Sequence, residues 1–563
     1  MSTKWVEISF PFNREAINAI KTLPTRKWSF EKKCWLVPED LVFQAANLLR
    51  PIFPAIANEL ESQYQDEKQI LIRQIHTYPP STKEIIKYIA TIKKRLRLPP
   101  GLKLFPFQEI SVAFLELTNG NTLLGDDMGL GKGVVFLAWL SMHPDYRPVI
   151  AFVPGKLRTN WEREINKWLP GEDIQLINGK SANVVPGQTF YVLSYELAPI
   201  YQYALKQLKA KVVVLDECIK IANRKAARTV ATIAVAKRIP HRTAISGSAS
   251  LRNRPKEIFT TLNLLRPQMF GNWFNFAKQY CNAQKTTWGW DFSGSSNEDE
   301  LRALLRPIMI RRTKQEVLPD LPEKRKEPIY LDVADTLTSA YTQKEREFTN
   351  AVKSAMGNRK RKMDYKDYLF QFPSSTVSYA EFVMGEEITS NLQTRNLFNG
   401  MRQLIGLAKA AQVFDIAVDF LNAGEKLVIF AHHKKVLDLI EGDFQKGGYN
   451  TLRIDGRSTD KAITRAVDYF QEDANYPICL ESSLAGGLGL TLTASSNAIV
   501  VERQWSPEDE RQAEDRLHRI GQKGGVVIWY LVAQNTIDDQ LDAIVERKRL
   551  GLDKILRPKK ENG

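Results

Sequence analysis

Apolar and polar positions along the chain change their period several times. WVEISFPF, from Trp5 to Phe12, alternates as a half-buried strand does, REAINAIKTL then reads as a helix, and short strand-like runs return around Trp28 and Trp35. This predicts a small αβ module with exposed aromatic residues over 1–50. A polar, helix-favouring linker rich in Lys and Glu follows over 51–100, broken by Pro79 and Pro80. From Leu102 the pattern switches to continuous apolar runs, NTLLG, PVIAFVP, TFYVLSYE and KVVVLDE, each followed by a helix-like stretch. Runs apolar at every position are buried on both faces, so they predict a parallel sheet covered by helices on both sides. Between about 270 and 405 no strand is expected; aromatic, basic, helical-looking sequence reads as an insertion or a linking domain. A second series, KLVIFA, TLRIDG, PICLES, NAIVVE and VVIWYLV, begins near Lys426 and ends at a basic helix, ERKRLGLDKILRPKK.

The 563 residues are too many for one hydrophobic core. Lys and Arg outnumber Asp and Glu by 79 to 64, a net charge of +15, which favours a polyanionic partner, nucleic acid above all. Cys34, Cys218, Cys281 and Cys479 are widely spaced, so neither a zinc site nor a disulfide framework is indicated and a reducing compartment fits. No run of 18 apolar residues and no apolar signal core occurs, which predicts a soluble chain that does not enter a membrane. The run Asn358–Lys362 reads as a solvated loop or as a nuclear-targeting patch.

Three elements carry chemistry. GDDMGLGKG, Gly125 to Gly133, lies between an apolar strand and a helix-like run. Glycines there let backbone N–H groups approach phosphate oxygens at a helix N-terminus, and Lys132 would reach the β- and γ-phosphates of a nucleotide. The same glycines also suit a plain turn. KVVVLDE ends a buried-strand pattern with Asp216 and Glu217, where two carboxylates are costly unless used. In a nucleotide hydrolase the first holds Mg²⁺ and the second orients and deprotonates the attacking water; otherwise the pair faces solvent. In QWSPEDERQAEDRLHRIGQ, Gln512, Arg516 and Arg519 fall at helical spacings that can share one face. Arginines from a second lobe can neutralise charge on a transferring phosphoryl group, although five surrounding acids also suit a salt-bridged surface helix.

In this order the three elements resemble the Swi/Snf-type double-stranded DNA translocases of helicase superfamily two, across roughly Leu102 to Leu541. FPFQEISVAFL resembles the family's adenine-recognising segment, with Gln108; VPGKLRTNWEREINKW and VLSYE fit as well. IMIRRTKQEVLPDLPEK, with Arg311, Arg312, Lys314, Leu321, Pro322 and Lys324, resembles the family's brace and linker. SSLAGGLGLTLTAS followed by the arginine helix is a combination few other families carry. The N-terminal 35-residue stretch from Val6 is similar to the HARP-type module of the annealing-helicase branch, as is FAHHKKVLDLI.

The resemblance implies an α/β fold of two RecA-like lobes with parallel sheets, at 101–270 and 406–545, separated by a helical insertion at 271–405 and followed by a basic tail at 546–563. It implies ATP on Gln108 and on Asp126, Asp127, Met128, Gly129, Leu130, Gly131, Lys132 and Gly133, with Mg²⁺ at Asp216. It further implies catalysis by Glu217, Asp216, Arg516, Arg519 and Gln512. The partners expected are double-stranded and branched DNA, met by a monomer in the nucleoid of a bacterium or phage or in a eukaryotic nucleus. Arg26, Lys27, Lys32 and Lys33 are expected on phosphates, with Trp28, Trp35 and Trp505 on DNA; the competing reading puts the module's tryptophans in its small core.

Three motifs depart from the family pattern. Gly133 stands where a Thr is expected, Cys218 and Ile219 where Ala-His is expected, and Ala249 in a Gly-Thr-Pro motif. The expected function is an ATP-driven translocase that remodels branched DNA in replication and repair. The alternatives are a weakened or inactive member that binds branched DNA, and a remodeller of protein–DNA complexes.

Overall fold

The computed structural model describes residues 5–541 apart from 24, 64–66, 248–254, 287–288, 293, 338, 358–387, 389–390, 483–489, 505–506 and 540. Ala249, the basic run 358–362, the glycine segment 483–489, Trp505 and the basic helix expected near the C-terminus lie outside the described residues. The chain divides into two units, Met1–Pro319 and Asp320–Gly563.

Unit 1 opens with the expected αβ module. Strands β1 (Trp5–Ile8), β2 (Lys27–Ser29) and β3 (Cys34–Pro38) form an antiparallel sheet in the order β1-β3-β2. Helix Arg14–Thr22 starts where the Asn13 side chain accepts a hydrogen bond from the Ala16 N–H at 2.9 Å, the usual way to satisfy an orphan first-turn donor. Its Ala16 and Ile20 are buried with Val6, Ile8 and Val37. Helices Pro54–Gln63, Glu67–Gln74 and Lys83–Arg95 fill the linker.

The main sheet of unit 1 is parallel throughout. It comprises β4 (Thr122–Leu124), β5 (Val149–Val153), β6 (Ile174–Ile177), β7 (Phe190–Ser194), β8 (Val212–Leu215), β9 (His241–Ile245) and, beyond a hairpin of β10 (Gln284–Thr286) and β11 (Gly289–Asp291), β12 (Met309–Ile310). The order is β12-β4-β9-β8-β5-β7-β6. The four apolar runs are β4, β5, β7 and β8, and all their residues are buried.

Unit 2 has a second parallel sheet: β13 (Lys324–Leu331), β14 (Leu427–Ala431), β15 (Thr451–Ile454), β16 (Ile478–Ser482), β17 (Asn497–Val500) and β18 (Val526–Ala533), ordered β13-β18-β17-β14-β16-β15. Helices Ser339–Gly357 and Leu392–Asn422 precede its second strand. The long helix is tied to the sheet by Lys409, whose buried Nζ donates to the Leu531 carbonyl at 2.9 Å and to Asp538 at 2.7 Å.

The expectation that strands vanish between 270 and 405 is corrected. That stretch supplies an edge strand to each sheet, β12 beside β4 and β13 beside β18, as well as the β10–β11 hairpin. The boundary drawn between 405 and 406 falls inside the single helix Leu392–Asn422. The four cysteines are free and buried, and among the described residues no helix is long and apolar enough to cross a membrane.

Candidate nucleotide and nucleic-acid sites

Strand β9 lies between β4 and β8, so the loops after β4, β9 and β8 emerge side by side at the carboxyl edge of the unit 1 sheet, where α/β sheets hold ligands. The first is the glycine loop. Gly129 and Gly131 have φ of 84° and 76°, a left-handed backbone that only glycine adopts without strain. Gly131 caps helix Lys132–Ser141, and a Cβ on it would collide with the Gln108 side-chain nitrogen. The loop is therefore shaped as a phosphate cradle with a helix N-terminus at its end.

The side chains around the loop are tightly assigned. Lys132 Nζ donates to the carbonyls of Asp126 at 2.8 Å and Asp127 at 3.0 Å. Burial lowers its ammonium pKa, opposed by the charges of Glu217, Asp126, Asp127 and Asp216. Met128 packs on Gly247 of the β9 loop, where an added Cβ would collide with Met128 and approach Lys132 Nζ to 3.2 Å. Gln108 is buried; its Nε2 donates to the Leu130 carbonyl at 3.0 Å and its Oε1 accepts from the Phe105 N–H at 3.0 Å, so its amide braces the loop. The Asp127 carboxylate accepts the Lys314 N–H at 3.2 Å.

Asp126 faces inward. Its carboxylate forms a buried ion pair with Arg312 at 2.6 Å and accepts the Arg312 N–H at 2.8 Å, while Arg312 also donates to the Phe107 carbonyl at 2.7 Å. The pair fastens the start of the glycine loop to the segment after β12. Removing one partner of a buried pair strands the other charge without compensation. Asp126→Ala is expected to destabilise unit 1 by about 3 kcal/mol, read as a lower urea midpoint at unchanged slope.

Asp216 and Glu217 follow β8. The Asp216 Oδ2 accepts from the Trp161 indole N–H at 2.8 Å, its Oδ1 from the Glu217 N–H at 3.0 Å, and its carbonyl from the Tyr195 hydroxyl at 2.7 Å. Trp161 also approaches the glycine loop: a Cβ added to Gly133 would lie 3.8 Å from its ring, an ordinary contact. Glu217 sits at φ 48°, a conformation costly for a non-glycine residue and concentrated at functional sites. Burial, then the adjacent Asp216, raises its carboxyl to about 7, and burial raises Asp216 as well. A carboxyl poised near neutrality suits a general base.

In unit 2, Gln512 is half-buried in helix Pro507–Glu514, which ends before Arg516 and Arg519, so the single helical face expected to carry all three is corrected. The competing reading of a salt-bridged surface helix fails for three of its acids, which are spent inside, while Asp509 is exposed. Glu510 pairs with Arg503 at 2.8 Å, Glu514 with Lys324 at 2.8 Å, and the adjoining Asp515 with Lys324 at 3.2 Å. His518 contacts the Pro322 carbonyl at 2.8 Å, so the brace-and-linker segment is anchored through Arg312 in unit 1 and through Pro322 and Lys324 in unit 2. Arg516 is fully buried and ion-paired with Glu481 on β16, and burial lowers its guanidinium to about 9. Arg519 donates to the Leu490 carbonyl at 2.9 Å and to Thr491 Oγ1 at 2.8 Å.

The N-terminal module divides its tryptophans. Trp28 is 41% exposed, whereas Trp35 packs against the core; their rings meet edge-on at 5.3 Å. Lys27, Lys32 and Lys33 are exposed, with Lys27 over the Trp5 ring at 4.6 Å and Lys32 paired with Glu7. Arg26 is half-buried and donates to the Leu23 carbonyl. Phe12 and Phe30, which the sequence reading passed over, are almost fully exposed.

Residues 59–375, more than half of the chain, match the model of the SNF2-related domain, and residues 409–521 match the helicase conserved C-terminal domain. The chain is similar to the Caenorhabditis elegans homolog of SWI/SNF-related matrix-associated actin-dependent regulator of chromatin subfamily A-like protein 1, with 29% identity over 96% of this chain and 73% of the relative. It is similar to the mouse DNA annealing helicase and endonuclease ZRANB3, with 32% identity over 82% of this chain and 41% of the relative. The chain thus spans less than half of that mouse protein. A solved Sulfolobus solfataricus SWI2/SNF2 ATPase core in complex with double-stranded DNA overlaps 81% of this chain and 93% of its own at 21% identity and a TM-score of 0.37.

Proposed function

The chain belongs to the SNF2-related family of helicase-like ATPases, and from that premise we propose that it is an ATP-driven translocase on double-stranded DNA that remodels branched structures such as stalled forks. One observation carries the reading: Lys132, the Asp216–Glu217 pair and Gly247 project from neighbouring strands onto one edge of the unit 1 sheet. The cradle at Gly129 and Gly131, too tight for a Cβ at Gly131, fits a nucleotide phosphate.

In this mechanism the loop amides and Lys132 hold the phosphates. Glu217, with its carboxyl near 7, takes a proton from water, and Trp161 keeps the Asp216 carboxylate aimed at the loop. A bound Mg²⁺ would supply neutralisation of the nucleotide's charge; Asp216 is the residue that would hold it, and Gly133 offers it no side-chain oxygen. Arg516 and Arg519 of unit 2 are assigned to the charge that develops on the phosphoryl group. Contacts to DNA are mainly to phosphates, so binding is salt-sensitive and weakly sequence-specific. The N-terminal module, with Trp28, Phe12, Phe30 and its exposed lysines, is assigned to branched DNA. Steady-state ATP hydrolysis with and without forked DNA tests the reading, which expects clear stimulation by the fork.

Gly133, and an Arg516 that is wholly buried, favour a second reading in which hydrolysis is slow and DNA binding is the main activity. Gly133→Thr separates the two. Trp161 leaves room for the new Cβ, and a hydroxyl there would add a ligand beside Asp216. DNA-stimulated turnover is expected to rise several-fold; silence in both proteins would favour the binding reading.

A further inference from the structure

The β10–β11 hairpin and helix Trp273–Tyr280 build an aromatic surface that the nucleotide site does not use. Phe274 and Trp290 are 36% and 41% exposed, unusual for rings of this size. They meet edge-on at 5.1 Å, and Trp290 stacks on Phe292 at 6.3 Å with planes 10° apart. Phe292 in turn rests on Trp273 at 5.4 Å, and Trp273 is packed on Phe259 of helix Pro255–Leu265. The exposed rings are thus backed by a chain of buried and half-buried rings that fixes their orientation.

Positive charge surrounds this surface. Lys278 Nζ lies 4.7 Å from the Phe274 ring centroid and 5.5 Å from that of Trp290. Lys285 is exposed and is the cross-strand partner of Trp290, so the two share one face of the hairpin. Behind them Arg224 stacks on Trp273 at 4.2 Å. Asp291 is the hairpin's acid and neighbours Trp290 in sequence, which places it on the opposite face. Flat rings held rigidly and flanked by two lysines fit one ligand chemistry: stacked bases whose phosphates reach the cations.

We propose that Trp290, Phe274, Lys278 and Lys285 form a stacking platform for unpaired nucleotides, a second element of branch recognition besides the N-terminal module. The inference rests on the proposed action on branched DNA. Paired bases in a duplex show their edges, not their faces, so such a platform discriminates a single-stranded arm from a blunt duplex. A base sliding onto Trp290 would exchange the lysine's contact with the ring for a contact with phosphate.

The test uses the full chain and three probes of equal length: a forked duplex with unpaired arms, a single strand and a blunt duplex. Trp290→Ala is expected to lower the ratio of forked to blunt affinity about tenfold, with Trp290→Phe retaining most of it. Equal weakening on all three probes, or no change, overturns the proposal; the latter would leave the surface to a protein partner. Photo-crosslinking of the unaltered chain to iodouracil in an unpaired arm needs no variant, and its adducts are expected within 274–292. A chain that prefers forks but crosslinks elsewhere sinks this inference alone. A chain with no preference for forks over blunt duplex sinks the proposed function first.

Discussion

Replacing Lys132 with alanine is expected to lower DNA-stimulated ATP turnover by about a thousandfold or more. The lysine is held in place by its own loop: two carbonyls fix Nζ at 2.8 and 3.0 Å, and Gly247 keeps the space beside it open. Such preorganised charge acts without reorganisation when the phosphoryl group moves. Loss of activity through collapse of the loop would be accompanied by loss of stability. Here the ammonium is disfavoured by burial, and the loop keeps its Gln108 and Asp126 fastenings. The variant is therefore expected to unfold at no lower a temperature than the parent. Unchanged turnover in Lys132→Ala would remove the glycine loop from the mechanism.

Glu217→Gln is expected to abolish hydrolysis to a similar extent while stabilising the protein in alkaline solution. Burial and Asp216 raise the Glu217 carboxyl from an ordinary 4.5 to about 7. Between those values the folded chain holds a proton that the unfolded chain has released, so stability falls as pH rises through this window. Glutamine cannot ionise and escapes that loss. The melting temperatures of the two proteins should coincide near pH 4, separate as pH rises from 4.5 to about 7, and stay apart above it, with the variant the more stable. The parent's turnover should rise as pH passes through about 7, where the base loses its proton. A variant less stable than the parent at pH 8 would contradict the burial that this account assigns to Glu217.

The parts of the fold visible in the sequence are those whose burial is uniform. β5, β7 and β8 are buried at every position and read as unbroken apolar runs. β13 was hidden because it is an edge strand: KRKEPIYL alternates exposed and half-buried residues, and its charges reach acids of the arginine helix or solvent. β9 was hidden because HRTAI carries polar groups satisfied internally, with Thr243 donating to the Gly120 carbonyl at 3.0 Å and Arg242 to Asn121 at 2.9 Å. β6 is a half-exposed edge strand, and β12 is too short to show a period.

For the site, the glycine loop and the carboxylate pair were visible as local motifs, but their partners were not. Trp161 is 55 residues from Asp216, and Arg312 is 186 from Asp126; no local pattern signals a hydrogen bond across such separations. The burial of Arg516 against Glu481 was equally hidden, because the acids next to the arginine in sequence are spent on Lys324, Lys326 and Arg503.

Directed movement on duplex DNA is the central claim, and displacement of a third strand from a DNA triplex measures it without requiring the duplex to unwind. With ATP and Mg²⁺ the unaltered chain is expected to release the third strand in a time that lengthens with the duplex ahead of it, and Lys132→Ala is expected to release none. Release that is equally fast without ATP, or no release by a chain that hydrolyses ATP on the same duplex, would contradict the account.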